Sequence, residues 1–308
     1  MELFYTGAFV LPLPAGHRFP MDKYAQLRQW VENSELSKSC SLLLPAAATR
    51  EAVIRAHSED YFERVCAGAL SAREQREIGF PWSPAMVERS LRSAGATIAA
   101  CRSALRNGVS ANMAGGTHHA HADRGAGFCV FNDSAIAARA MQAEGSVSRV
   151  LVVDCDVHQG DGTARILEAD SSIFTLSLHG EKNYPFRKAR SDLDVPLPDG
   201  IGDSGYLAAL RDALDQCQAA GPWDLVIYLA GADPYKGDRF GRLGLSIDGL
   251  QQRDETVFAF CADHQLPVDI TMAGGYAKAI EDTVAIHFNT LCAAQALHAA
   301  RHQSRRTS

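Results

Sequence analysis

Apolar and polar positions along the chain fall into blocks that predict strands separated by helices. Four short runs rich in Val, Ile, Leu and Phe have the continuous apolar character of strands buried on both faces: 150–153, 173–178, 225–229 and 268–272. Helical patterns cover the segments 21–33, 58–70, 84–106, 133–143, 163–169, 203–220, 246–264 and 281–302. This alternation predicts an α/β fold with a central, mostly parallel sheet and helices on both faces.

Composition narrows the class of protein without identifying its chemistry. The 308 residues are 46% hydrophobic and 21% charged, which fits one globular domain over 1–308, and we expect the basic segment 301–308 to be a frayed tail. The net charge of -6 gives no overall basic footprint, so we expect no nucleic-acid partner. No apolar run reaches the roughly 18 residues of a membrane helix, and the first residues lack the pattern of a secretory signal. Eight dispersed cysteines without a CxxC pair predict reduced thiols and a cytoplasmic protein; nothing predicts an oligomeric state.

The first predicted strand ends in a row of side chains that suit a metal ion. In extended chain, alternate side chains point to one face, so Asp154, Asp156 and His158 share a face. Each acid alone is typical of a turn or a helix cap, but three such residues at this spacing indicate a divalent cation. Asp233, after the third strand, is a ligand candidate or a turn residue before proline. Together Asp156, His158 and Asp233 match a three-ligand catalytic zinc site, and the oxygen-rich set also suits Fe(II).

Two adjacent histidines form a second cluster, after a Gly-Gly-Thr sequence. His118 and His119 could be a pair of general acid and base groups, since histidine titrates near neutral pH. Such histidines need carboxylate partners to fix their tautomers, and Asp154 and Asp161 are free for that role. The alternative is a surface loop. We expect His121 to be structural or exposed.

Two glycine-rich turns add the remaining candidates. Gly127 allows close backbone approach, and Phe128 is either ordinary core or the lining of a narrow channel. Tyr276 follows Gly274 and Gly275 after the fourth strand, where its hydroxyl could be buried in the core or could donate to a developing oxyanion. With a metal ion and two histidines, these parts describe metal-assisted hydrolysis of an amide.

The motifs that carry these residues resemble those of the histone deacetylase family, which has an arginase-like three-layer fold. The resemblance covers nearly the whole chain and rests on long motifs: His-Ser-Glu-Asp-Tyr at 57–61, GGTHHAHADRGAGFCVFND at 115–133, VLVVDCDVHQGDGT at 150–163, TLSLH at 175–179, LAGAD at 229–233 and AGGY at 273–276. The segment 123–128 and Gln159 are most similar to the class IV branch and its bacterial relatives.

The resemblance implies a catalytic role for each residue singled out above. Asp156, His158 and Asp233 would be the zinc ligands. His119 would be the main base and acid, with His118 as its electrostatic partner. The other implied roles are the pairing of Asp154 with His118, the pairing of Asp161 with His119, and polarisation of the substrate carbonyl by Tyr276.

The resemblance also implies a substrate channel and a second ion. Gly127 and Phe128 would form one wall, and Tyr184 or Phe186 the opposite one, with the glycines 274–275 nearby. The acidic rim residue of many peptide deacetylases has no counterpart around 81–82. A structural potassium ion would be held largely by backbone carbonyls of Asp154, Asp156, His158, Ser177 and Leu178.

We therefore expect a zinc-dependent amidohydrolase that removes an acyl group from a lysine side chain or a similar primary amine, on a peptide or a small molecule. A binuclear manganese ureohydrolase of the arginase type is disfavoured, because that chemistry needs carboxylates where this chain has Gly160 and Tyr235. A non-catalytic protein that binds acyl groups or partners on the same fold is the other alternative. It is disfavoured because no implied ligand, histidine or tyrosine is missing.

Overall fold

A single eight-stranded sheet forms the centre of the computed structural model, which describes the backbone of residues 1–307 and the side chains of residues 1–303. In chain order the strands are β1 Glu2–Phe4, β2 Ser41–Leu43, β3 Val109–Asn112, β4 Val150–Asp154, β5 Ile173–Gly180, β6 Leu193–Leu197, β7 Leu225–Leu229 and β8 Val268–Thr271. They lie in the order β2-β1-β3-β8-β7-β4-β5-β6, and every neighbouring pair is parallel.

Helices connect the strands and cover the sheet. In the described part of the chain they are α1 Asp22–Glu32, α2 Leu36–Ser39, α3 Arg50–Val53, α4 Glu59–Ala67, α5 Ala72–Ile78, α6 Pro84–Asn107, α7 Asp133–Ala143, α8 Asp161–Leu167, α9 Asp203–Ala220, α10 Ile247–Asp263 and α11 Ile280–Thr307.

The sheet separates two hydrophobic cores, which makes the fold three layers thick. Leu151 and Val153 of β4 face a core shared with helices α1, α9, α10 and α11. Val150 and Val152 face the opposite core, shared with α4, α6 and α7. Successive residues of this central strand are buried on opposite faces of the sheet, so its sequence is a continuous apolar run. The expected α/β three-layer architecture is confirmed.

The four strands predicted from apolar runs are present, whereas the other four carry no such run. Strands β1 and β2 have three residues each, and β6 includes Asp194 and Pro196 at the sheet edge. A Pro is tolerated there because an edge strand leaves one side unpaired. Helix α9 has Gly202 as its N-cap. Asp203, its first residue, accepts hydrogen bonds from the backbone N–H and the hydroxyl of Ser246.

The tail expected to fray at 301–308 is helical at its backbone through Thr307, and Ser308 lies outside the described residues. Arg301 explains the order at the start of this segment. Its guanidinium donates to the carbonyls of Gly108 and Leu266, at 2.8 Å each.

None of the eight cysteines forms a disulfide, and no described helix is long and apolar enough to cross a membrane.

One buried arginine ties the ends of strands β4 and β7 together. Arg253 on α10 is fully buried and donates to the carbonyls of Cys155 at 3.4 Å and Gly231 at 2.5 Å. Its charge is balanced by Asp254 at 2.8 Å, which also accepts from the hydroxyl of Tyr228 at 2.6 Å. The guanidinium therefore fixes two neighbouring strand ends through backbone groups that the sheet leaves unpaired.

Replacing Arg253 by methionine should lower the free energy of unfolding by about 3–5 kcal/mol, because Asp254 is left buried without its counter-charge. Chemical denaturation of the Arg253→Met variant measures this loss. Arg211→Gln is the matched control, since Arg211 is exposed on α9 and its loss should change stability by less than about 0.5 kcal/mol. Equal midpoints for the two variants would show that Arg253 does not anchor the strand ends.

Candidate active site

The loops after β4, β7 and β8 meet at one edge of the sheet. Strand β7 lies between β8 and β4, and all three are parallel, so their carboxyl ends are adjacent. Asp156 and His158 follow β4, Asp233 follows β7 and Tyr276 follows β8. The polar residues that follow these three strands therefore lie together at this edge of the sheet.

Asp156, His158 and Asp233 form a compact group at this edge. Nδ1 of His158 lies 3.0 Å from Oδ1 of Asp156 and 3.2 Å from Oδ2 of Asp233, and one ligand atom from each residue lies within 4.8 Å of the others. Each carboxylate is anchored by a backbone N–H: Gly274 donates to Asp156 at 2.8 Å, and Val157 donates to Asp233 at 2.9 Å. Oδ2 of Asp233 is buried and accepts no hydrogen bond. That orphaned oxygen and the mixed oxygen and nitrogen donors fit a divalent cation.

The electrostatics of this group reflect two carboxylates buried side by side. Burial and the charge of Asp156 raise the pKa of Asp233 above its usual range. Burial opposes ionisation of Asp156, but the charge of His118 and the hydrogen bond from His158 hold its pKa low. Burial alone would lower the pKa of His158, whereas the neighbouring carboxylates of Asp156 and Asp233 raise it to about 10. The group therefore needs a proton or a cation between the two carboxylates.

The turn after β8 approaches these carboxylates so closely that only glycine fits. A Cβ at Gly274 would lie 2.1 Å from Oδ2 of Asp233 and 2.5 Å from Oδ2 of Asp156. Gly274 lines the cleft above the group, as expected. Gly275, expected beside it, is not among the lining residues. At φ 148° it faces the side chain of Thr283 instead.

The two adjacent histidines each bond a carboxylate, in the pairing expected from the sequence. Nδ1 of His118 lies 2.7 Å from Oδ2 of Asp154, and Nδ1 of His119 lies 2.7 Å from Oδ1 of Asp161. The two rings are 4.2 Å apart, and Nε2 of His118 is 3.8 Å from Asp156. Both histidines line the cleft, so their unbonded Nε2 atoms belong to its base.

The environments of the two histidines move their pKa values in opposite directions. Burial would lower the pKa of His118, but Asp154 and Asp156 raise it to about 9. Burial and the charge of His118 lower the pKa of His119 to about 4, against the effect of Asp161. Near neutral pH this favours a cationic His118 beside a neutral His119, a pairing suited to separate electrostatic and base roles.

Asp133 and His121 support the histidine loop. Asp133, on the first turn of α7, accepts hydrogen bonds from the backbone N–H groups of Gly116 at 3.0 Å and Thr117 at 2.7 Å. His121 is buried, and its Nε2 lies 3.2 Å from Oδ2 of Asp161, which thus contacts two imidazoles. His121 therefore lies buried beside the histidine pair, and the alternative of an exposed residue is wrong.

Tyr276 is held from both sides by residues that sequence reasoning missed. Its backbone N–H donates to Asp238 at 2.6 Å. Behind its ring, the ammonium of buried Lys23 lies 5.4 Å from the ring centroid and donates to the carbonyls of Ala273 and Gly275. No described residue bonds the Tyr276 hydroxyl, whose pKa is raised by burial and by the nearby carboxylates. The hydroxyl therefore keeps its proton and is free to donate it in a hydrogen bond.

Aromatic rings form one wall of a cleft of about 1210 Å³. Phe128 has the rare positive φ of 65°, and its ring packs 5.3 Å from both Phe19 and Phe80. Gly127 precedes it at φ 54°, where a Cβ would lie 2.7 Å from the ring of His119. This backbone turns Phe128 into the cleft, whose lining also includes Phe19 and Phe80.

The opposite wall is formed by the loop after β5. Tyr184 lies 4.9 Å from the ring of His119, whereas Phe186 is 84% exposed and packs on the outer side of Tyr184. Both line the cleft, with Tyr184 the deeper of the two. Gln159 holds this loop in place: its amide exchanges two hydrogen bonds with the backbone of Ala189, at 3.0 and 2.8 Å.

The residues expected to hold potassium lie close together under the histidine loop. Asp154 pairs with Ser177 across β4 and β5, and Leu178 follows in the same strand. Asp156 and His158 continue from the end of β4. Binding of a potassium ion there stays a prediction.

Sequence comparisons relate the chain to histone deacetylases. A family model described as histone deacetylase domain matches residues 17–291. An uncharacterized protein of Picosynechococcus sp. is 42% identical over 92% of this chain and 94% of its own length. Histone deacetylase 2 of Arabidopsis thaliana is 31% identical over 87% and 72%, and a histone deacetylase-like amidohydrolase of Pseudomonas aeruginosa is 30% identical over 78% and 67%.

Solved structures share the fold. A histone deacetylase homologue in complex with SAHA superposes with a TM-score of 0.83 at 23% identity, covering 96% of this chain and 83% of the other. A homologue from Aquifex aeolicus gives 0.82 at 23% identity, covering 96% and 84%. At this identity the likeness shows the fold alone, and the family model and sequence relatives carry the assignment. The chain belongs to the histone deacetylase family, a family of deacetylases and amidohydrolases.

Proposed function

We propose that the protein is a metal-dependent amidohydrolase that removes an acyl group from a lysine side chain or a similar primary amine, on a small molecule or a peptide. One observation carries the proposal: the base of a single cleft holds a three-ligand group, two histidines with carboxylate partners and an unbonded tyrosine hydroxyl. Family membership supports the class of reaction.

Asp156, His158 and Asp233 would hold the metal ion, which we propose to be zinc, with Fe(II) as the other ion that this donor set suits. When bound, such an ion lowers the pKa of a water molecule and polarises the acyl carbonyl. The buried oxygen of Asp233 that lacks a hydrogen bond supports this assignment.

His119 is the proposed general base and acid. Its Nδ1 donates to Asp161, which leaves Nε2 free to take a proton from the attacking water and later give it to the leaving amine. Its lowered pKa keeps Nε2 unprotonated at the start of the reaction. His118, with its raised pKa, supplies positive charge beside it.

Tyr276 is the proposed donor to the oxyanion that forms from the substrate carbonyl. Its raised pKa keeps the hydroxyl protonated, and the bonds of Asp238 and Lys23 fix the turn that aims it. The presence of this donor, both histidines and all three ligands favours catalysis over a binding-only role.

Three further parts of the proposal rest on separate features. A potassium ion would be held by carbonyls near Asp154 and Ser177. Gln159 and the segment 123–128 support placement in the class IV branch. Eight free cysteines support a reducing compartment such as the cytoplasm.

Adding zinc to the metal-depleted protein should raise its melting temperature more at about pH 8 than at about pH 5.5. The pKa of Asp233 is raised in the folded protein, so its contribution to stability is present below the ordinary carboxylate pKa and is lost as the pH rises through the folded value. A bound cation removes that loss, and protons compete less for His158 at the higher pH. Differential scanning calorimetry at the two pH values checks this. A zinc shift that is equal at both, or larger at the lower one, would count against a buried carboxylate site.

The Tyr276→Phe variant should lose roughly 10²–10³-fold in kcat/KM for an acyl-lysine substrate, and His119→Ala at least about 10²-fold. The two variants should keep the full metal content, because neither residue is a proposed ligand. Tyr5→Phe is the matched control, since Tyr5 does not line the cleft and packs on Arg28. Undiminished turnover in metal-loaded Tyr276→Phe or His119→Ala protein would contradict the proposed mechanism.

A further inference from the structure

The mouth of the cleft is basic, although the chain as a whole carries a net charge of -6. The acids at its base, Asp156, Asp161 and Asp233, are buried, and Glu77 is the one exposed carboxylate among the lining residues. Six exposed cationic side chains line the same cleft: Arg18, Arg73, Arg124, Lys182, Arg239 and Arg242.

Four of the six cations are partly neutralised by neighbouring carboxylates. Arg73 pairs with Glu77 at 2.8 Å, and Arg124 lies 3.2 Å from Asp123. Arg242 and Lys182 share the carboxylate of Asp199, at 3.4 and 3.9 Å. The two remaining cations at the mouth are Arg18 and Arg239.

Arg18 and Arg239 have no carboxylate partner among the described side chains. Among the described residues, the Arg18 guanidinium has no hydrogen-bond or ion-pair partner, and the Arg239 guanidinium donates only to the backbone carbonyl of Lys278, at 3.2 Å. Both line the main cleft and also an adjoining hollow of about 310 Å³, and Tyr276 lines both spaces as well. The two guanidinium groups therefore lie at the mouth, on the Tyr276 side. The exposed Glu281 lines the same hollow but forms no ion pair with Arg18 or Arg239.

We propose that the substrate is an acylated amine whose amine half carries a carboxylate, and that Arg18 and Arg239 bind this carboxylate. The inference rests on the proposed deacylase function, because it places the acyl carbonyl at the buried base and the amine half at the mouth. Guanidinium groups suit carboxylates, which they bind through two parallel hydrogen bonds. The same charges would repel a polyamine or a lysine-rich peptide, so the mouth selects against cationic carriers as well as for anionic ones.

A matched pair of small substrates tests this proposal: Nα,Nε-diacetyl-lysine with its free carboxylate, and the same compound as its carboxamide. We expect kcat/KM to be roughly tenfold higher for the carboxylate than for the carboxamide, mainly because its KM is lower. The preference should shrink between about 0.05 M and about 0.5 M salt, because the mouth is exposed and its charges are screened.

A second experiment compares two acetyl-lysine peptides, one flanked by aspartates and the other by lysines. A preference for the aspartate peptide that exceeds the carboxylate effect would identify a peptide as the source of the carboxylate.

Arg18→Gln/Arg239→Gln protein should lose most of the carboxylate preference while turning over the carboxamide within about twofold of the unaltered rate. Arg211→Gln, which removes an exposed cation from α9, should keep the preference. Equal kcat/KM for the two small substrates, or a preference that survives the double substitution, would overturn this inference alone. No hydrolysis of any of the four substrates by zinc-loaded protein would overturn the proposed function and this inference with it.

Discussion

Two carboxylates buried side by side are the constraint on which the rest of the site depends. Asp156 and Asp233 have almost no solvent exposure, and two negative charges buried next to each other repel strongly. Backbone N–H groups of Val157 and Gly274 each hold one oxygen, which leaves the other oxygens turned towards His158. Among the described imidazoles, only that of His158 lies within 3.2 Å of both carboxylates, since His118 is 3.8 Å from Asp156 and pairs with Asp154. The arrangement therefore makes physical sense as a cation site.

The parallel sheet makes that crowding possible. It brings three strand ends to one edge, and glycine at 274 lets the third of them approach the carboxylates. Support comes from residues far apart in the chain. Arg253 fixes the loops that carry the two carboxylates, while Lys23 and Asp238 fix the turn that carries Tyr276. The proposed catalytic residues are thus held by buried interactions, and the exposed charged residues lie at the mouth of the cleft.

The sequence predicted those elements and site residues that a local pattern of side chains indicates. Continuous apolar runs revealed β4, β5, β7 and β8, and the metal-type side chains of Asp156 and His158 marked the loop after β4. The extended row expected through His158 is wrong, because the strand ends at Asp154. The supporting residues gave no such signal. Arg253 next to Asp254 has the pattern of an exposed pair on a helix, and Lys23 that of a solvated first turn; both are buried only because other helices and loops pack over them. Likewise, the sequence did not show that Tyr184, the less exposed of the two candidate aromatics, would lie against the ring of His119. Tertiary packing decided each of these, and no local pattern encodes it.

The most direct test of the account is a titration of metal-depleted protein with zinc, in which bound metal and deacylase activity are measured on the same sample. Activity should rise in proportion to bound zinc and saturate at one ion per chain, because the described group offers three ligands for a single ion. Full activity before any metal is added, or saturation only at two ions per chain, would contradict it.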